Sequence, residues 1–214
     1  MLHNADEQLV LATEHGIGFL REGWALIYRG WSLAALERAD DGIPLLTASV
    51  AGCYELGFVA WRAWALALLG DAWRMAGQWQ AALERLAEAR RLADETEDRW
   101  FQAETVRLRG DVLLAMGDPP AAEASYHEAI AIAQQQSAKL WELRAATSLA
   151  RLWRDQGKRS EAYDLLAPVY GWFTEGFGTP VLKEAKALLE ELADAPALPA
   201  SGGLATAGTS ADSE

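Results

Sequence analysis

The chain has 214 residues and a net charge of −12, from 19 Lys and Arg against 31 Asp and Glu. That balance excludes a nucleic-acid binder, whose phosphate contacts need a basic face, while 51% hydrophobic residues exclude a wholly disordered chain. Cys53 is the sole cysteine, so neither a disulfide framework nor a cysteine-based zinc cluster is available. The best apolar run, Phe58 to Leu69, is interrupted by Arg62, and Met1 to Val10 carries Asp6 and Glu7 with no basic leader. Neither a membrane span nor a secretory signal is therefore expected, and the cytoplasm is the expected location.

In chain order, residues 5–15 read as a lone helix, the second half of an incomplete repeat spanning 1–16. Paired helices follow at about 17–37 and 40–55, 58–76 and 79–95, 99–116 and 119–136, and 138–156 and 159–173. These make four repeats, 17–57, 58–97, 98–137 and 138–178, within a domain spanning 17–193. A helix from Val181 to Ala193 caps the array over 180–193. The remaining 194–214 is rich in Ala, Gly, Ser, Pro and Thr, carries three of the acids and no base, and is expected to be a disordered tail.

The pairing rests on columns at a fixed period of 40 residues. Gly30, Gly70, Gly110 and Ala150 form one; Glu37, Gly77, Gly117 and Gly157 a second; Gly42, Ala82, Ala122 and Ala162 a third. Leu46, Leu86, Tyr126 and Leu166 align, as do Ser49, Ala89, Ala129 and Val169, Leu26, Leu66, Val106 and Ala146, and Leu33, Trp73, Leu113 and Trp153. Small residues belong where two helices cross closely, and the second column ends the first helix in a left-handed conformation that glycine adopts readily. Glu37 breaks that column, so a different turn is expected in the first repeat. Trp73 and Trp153 are expected in the core. No single repeat buries its apolar stripe, but stacked neighbours do.

The order small, Leu or aromatic, Gly, Ala, Leu or aromatic, Ala resembles tetratricopeptide (TPR) repeats, with helices lengthened beyond the usual ~34-residue period. The fold class implied is all-α: a right-handed superhelical solenoid of about four TPR-like helix-turn-helix repeats with a C-terminal capping helix. A narrower resemblance lies in Ala145-Ala146-Thr147-Ser148-Leu149-Ala150-Arg151-Leu152-Trp153, Gln156-Gly157-Lys158-Arg159, Leu165 to Phe177 and Lys183 to Leu189. Glu14-His15-Gly16 and Arg29 to Ala34 add to it. Over about residues 5–193 the chain is similar to the C-terminal repeats of large bacterial proteins. Those proteins carry a class III adenylate/guanylate cyclase or a DNA-binding domain, then an AAA-type signalling ATPase. Gly178 departs from an expected acid before Thr179-Pro180. The resemblance implies that catalysis belongs to upstream domains and that this chain is a C-terminal fragment or truncated reading frame.

The residues themselves offer no catalytic constellation. There is no GxxxxGK[ST] loop, and Gly16-Ile17-Gly18 lacks the third glycine of a dinucleotide loop. No two of His3, His15 and His127 are spaced i, i+4, so no zinc site is expected, and His15 reads as a helix end. Cys53 has no adjacent base and reads as a small core residue. No cofactor, metal or catalytic residue is expected. The aromatic-rich loop Gly171 to Pro180 reads either as a plug under the last helix or as a binding lip.

Partner binding is expected on the concave face, lined by the first helix of each pair. Its columns are Trp24, Trp64, Glu104 and Arg144; Ile27, Ala67, Arg107 and Thr147; Trp31, Asp71, Asp111 and Arg151; and Ala34, Arg74, Leu114 and Arg154. The groove grades from a tryptophan end (Trp24, Trp31, Trp64), through mixed charge (Asp71, Arg74, Glu104, Arg107, Asp111), to an arginine end (Arg144, Arg151, Arg154). Tryptophan and arginine are enriched at binding hot spots. The surface suits a protein or peptide with an apolar anchor and an acidic end, including an upstream domain of the same parent. The bland alternatives are tryptophans that meet an earlier repeat and arginines that only pair locally, as Arg107 with Asp111. Neither nucleic acid nor a membrane is an expected partner, and self-association through an open N-terminal end is. The leading function is a non-catalytic interaction scaffold. The alternative is a sensor segment binding a small molecule or peptide to control an upstream ATPase, cyclase or DNA-binding domain.

Overall fold

The computed structural model describes residues 2–16, 20–55 and 61–193. Ten α-helices appear there: α1 (Leu2–Glu14), α2 (Leu26–Ala35), α3 (Ala39–Glu55), α4 (Arg62–Met75), α5 (Trp79–Thr96), α6 (Gln102–Ala115), α7 (Pro119–Gln135), α8 (Lys139–Asp155), α9 (Arg159–Gly171) and α10 (Pro180–Ala193). A π-helical turn, Leu20–Ala25, leads into α2. Among the described residues there is no strand, and no helix is long and apolar enough to cross a membrane. The expected tail lies outside the described residues, as do parts of the first two predicted helix starts.

The helices pair as the columns require. Leu46, Leu86, Tyr126 and Leu166 are fully buried, each on the second helix of its pair. They fill the notch left by the small column on the first. A Cβ on Gly70 would stand 2.8 Å from Cγ of Leu86, and one on Gly110 2.5 Å from Cε1 of Tyr126. Glycine at 70 and 110 thus lets a larger side chain on the partner helix lie against bare backbone.

Consecutive first helices pack on one another, α2 on α4, α4 on α6, α6 on α8, and α10 on α8 in the same manner. The second helices α3, α5, α7 and α9 do not touch one another through their backbones. Close inner and splayed outer helices bend the stack, so α2, α4, α6 and α8 line the concave side.

The turn inside each pair is identical in all four repeats. The N–H groups of Arg38, Gln78, Asp118 and Lys158 reach back to the carbonyls of Leu33, Trp73, Leu113 and Trp153 at 3.0, 2.9, 3.0 and 2.8 Å. The residue before each is left-handed: Glu37 at φ 62°, Gly77 at 71°, Gly117 at 83° and Gly157 at 82°. This is the Schellman closure. The different turn expected at Glu37 does not occur, because the six-residue bond pattern fixes the backbone and the side chain simply projects into solvent. A left-handed L-residue costs about 1–2 kcal/mol, partly offset by the extra unfolded-state entropy of glycine. Glu37→Gly should therefore raise stability by up to about 1 kcal/mol, seen as a higher urea midpoint at unchanged slope; a lower midpoint contradicts this account of the turn.

Trp73 and Trp153 correct the second expectation. Both are half-buried at the edge of the core. Each sits in the last turn of its helix, where the ring lies across the repeat edge and the indole N–H can keep a polar partner. Trp153 Nε1 donates to Glu123 Oε1 at 2.8 Å, with Lys158 Nζ 5.9 Å above the ring. In the loop after α9, Phe173 packs on the core while Trp172 and Phe177 are exposed. Cys53 is buried, and burial pushes its thiol up against the opposing pull of Arg62.

Candidate functional site

Several of the side chains expected on the concave face, carried on the inner helices, bond to one another across repeats. Trp31 Nε1 on α2 donates to Asp71 Oδ2 on α4 at 2.9 Å, and Arg74 Nε holds the other oxygen of Asp71 at 2.8 Å. On α6, Arg107 donates to both oxygens of Glu104 at 2.9 and 2.7 Å and to Asp111 Oδ2 at 2.7 Å. Arg144, one repeat further on, grips the same Glu104 carboxylate with two bonds of 3.0 and 2.7 Å. Ser148 Oγ on α8 accepts from Arg107 at 3.3 Å, and Tyr126 donates its hydroxyl to Asp111 Oδ1 at 2.9 Å.

Residues 40 apart occupy equivalent places on stacked helices, so a column of the sequence becomes a rung of contacts. Trp31–Asp71 and Glu104–Arg144 are both separated by 40 positions. The third rung ties α8 to the cap. Arg151 pairs with Glu184, and Arg154 Nη1 with Glu191 Oε2 at 3.0 Å.

Glu104 and Arg107 are buried, with only 4% and 10% of their side chains accessible. Burial pushes the Glu104 carboxyl up, but Arg107 and Arg144 outweigh it and hold the group at about 2. Burial likewise opposes the charge on Arg107, and Glu104 with Asp111 overcomes it, raising the guanidinium above its usual range. The Tyr126 phenol is raised by burial and then by the Asp111 carboxylate it faces. Arg154 is raised by its hydrogen bond to Asp155.

The predicted site residues therefore divide. Trp64, Asp71, Glu104 and Arg107 are buried and hold the wall together. Trp24, Trp31, Arg74, Asp111, Arg144, Arg151 and Arg154 keep part of their surface open to the groove. Among the described residues no cluster of three His, Cys, Asp or Glu side chains could hold a metal ion.

The groove columns leave out an aromatic chain along the edge where α4, α6 and α8 begin. Trp24 meets Trp61 at 4.8 Å between ring centres, Trp61 meets Trp100 at 5.6 Å, Trp100 meets Phe101 at 5.2 Å, and Phe101 meets Trp141 at 5.2 Å. Trp61, Phe101 and Trp141 are again 40 apart, a column that carries the signal.

Residues 72–150 match the family model of the tetratricopeptide repeat-like domain. No curated protein matches the sequence. Several solved structures share the fold. BtubC (BKLC) from P. vanneervenii is 13% identical with a TM-score of 0.68, over 97% of this chain and 97% of its own. The TPR-like repeats of a putative kinesin light chain from Podosopora anserina are 19% identical with a TM-score of 0.57, over 78% and 83%. A Rap protein complexed with Competence and Sporulation Factor is 18% identical with a TM-score of 0.64, over 79% of this chain but only 53% of its own, so the chain spans about half of that protein. The described chain is thus an all-helical, TPR-like repeat solenoid, with the repeat-domain match falling on its central 72–150.

Proposed function

We propose that this chain is a non-catalytic interaction module whose concave face receives an extended segment of a protein partner. What supports the reading is that Trp31, Arg74, Asp111, Arg144, Arg151 and Arg154, on the inner helices α2, α4, α6 and α8, are partly exposed and each already fixed by a hydrogen bond or ion pair. Side chains immobilised before binding lose little further freedom on contact, which favours recognition. Trp24 and Trp31 supply an apolar anchor at one end, and the arginines supply rigid donor forks at the other.

The sequence likeness to the repeat regions of bacterial cyclase and ATPase regulators supports a place in such a parent, with an upstream domain as one candidate partner. A second reading, a sensor segment that answers a peptide or small ligand, draws support from the Rap likeness, a complex with Competence and Sporulation Factor.

The test is crosslinking capture in the source cells with three baits. Arg151→Glu/Arg154→Glu changes the groove through exposed pairs with Glu184 and Glu191, and a melting curve matching wild type is required of the bait. Arg85→Glu on the outer α5 is the control. A partner kept by wild type and the control and lost by the groove variant is the expected result. A partner kept by all three removes the arginine end from the site.

A further inference from the structure

We propose that the edge of the solenoid around Trp61 and Trp100 is a second docking surface, for an arginine-rich segment of a partner protein. Two observations meet there. First, Trp61 and Trp100 are 38% and 40% exposed although their rings touch at 5.6 Å, giving one continuous aromatic surface open to solvent. Tryptophan at a monomer surface is a large apolar area left without cover.

Second, the backbone that carries this surface is held in an unfavourable form by an acid. Trp61 is left-handed, at φ 73°, a region bulky L-residues avoid, and its N–H donates to Asp98 Oδ2 at 3.0 Å. The neighbouring turn is closed by Glu97, itself left-handed at φ 57°. Among the described residues, neither Glu97 nor Asp98 has a cationic partner, whereas the acids of the concave face do. Two tryptophan faces beside the Asp98 carboxylate, with Glu97 next to it in sequence, complement a guanidinium, which stacks on an indole and donates to a carboxylate at once.

One arginine of this edge already combines a ring and an acid: the Arg144 guanidinium lies 6.0 Å from the centre of Trp141 while it donates to Glu104. Arg62 lies 4.2 Å over the Tyr54 ring, a second guanidinium on an aromatic face. The net charge of −12 adds a long-range pull on a basic segment. Arginine is preferred to lysine because only its planar head meets ring and carboxylate together.

The experiment measures binding of hexa-arginine, hexa-lysine and hexa-citrulline peptides to the full chain, by fluorescence anisotropy at two salt concentrations. Hexa-arginine is expected to bind tighter than hexa-lysine, and hexa-citrulline weakest. Trp100→Ala and the paired Glu97→Gln/Asp98→Asn should each weaken hexa-arginine by about fivefold, while Trp100→Tyr retains most of the affinity and controls for folding. Equal affinity for arginine and lysine peptides, or no effect of Trp100→Ala in a variant with wild-type circular dichroism, would reduce the effect to bulk charge and overturn the proposal. So would no binding at roughly 1 mM peptide. Arg151→Glu/Arg154→Glu should leave hexa-arginine binding undiminished, so this surface and the arginine end of the concave face succeed or fail separately.

Discussion

Glu104→Ala is expected to be among the most damaging single substitutions in the chain, lowering stability by about 3–5 kcal/mol. Among the described residues, removing the carboxylate leaves buried Arg107 with one ion pair, to Asp111, and breaks the ion pair of Arg144 across the repeat boundary. Glu104→Leu/Arg144→Leu should lose less than Glu104→Leu alone, because it restores a one-to-one pair of Arg107 with Asp111. Urea denaturation of the three proteins checks this, and equal losses in the single and double variants would show that packing, not charge, is at stake.

The same group fixes an acid limit. Its folded value of about 2 lies below the ordinary 4.5, so protons bind more readily to the unfolded chain. The contribution is complete above about pH 5 and is lost as pH falls towards about 2. Wild type should therefore lose stability over that range more steeply than Glu104→Ala. Parallel pH profiles would remove Glu104 from the account.

Gly42→Ala is the second large effect, about 3 kcal/mol. The same column holds alanine at 82, 122 and 162, so propensity alone predicts a gain. In the first repeat, however, two glycines face each other. A Cβ on Gly42 would press into the carbonyl oxygen of Gly30, and one on Gly30 would stand 2.8 Å from the carbonyl oxygen of Gly42. Backbone cannot rotate away as a side chain can, so α2 and α3 must separate. Thermal melting of Gly42→Ala beside Ala82→Gly separates the cases: both are expected to fall, the first through overpacking and the second through a lost methyl. A stabilised Gly42→Ala would mean the helices part freely.

The fold was legible because its period was. Forty-residue columns named the crossing points, the turn glycines and the concave helices, and those assignments rest on sterics that repeat in every copy. Glu37 shows the limit of reading by residue type. Glycine marks a left-handed turn, but the backbone bonds that make the turn are blind to which side chain occupies it. At the candidate site the residues were identified but not their bonding. Glu104 and Arg144 stood in one column and were read as two separate points on a graded groove, whereas equivalent positions on stacked helices are nearest neighbours. Trp61 was harder still, since no propensity places a tryptophan in glycine's conformation. Only the Asp98 carboxylate, 37 residues away, supplies the reason.

The ion pairs of the concave face also set the terms on which it can be entered. Each accessible guanidinium there arrives already paired, Arg74 with Asp71, Arg144 with the Glu104 it shares with Arg107, Arg151 with Glu184 and Arg154 with Glu191. A carboxylate brought by a visitor gains less by charge than it would at a bare guanidinium, because it shares or displaces a resident acid. Entry is then in part an exchange reaction, with a reduced gain in Coulomb energy and a weaker sensitivity to salt. On the proposed reading, visitors are told apart by whether their acids fall at the spacing of the residents, so such a groove sorts by shape.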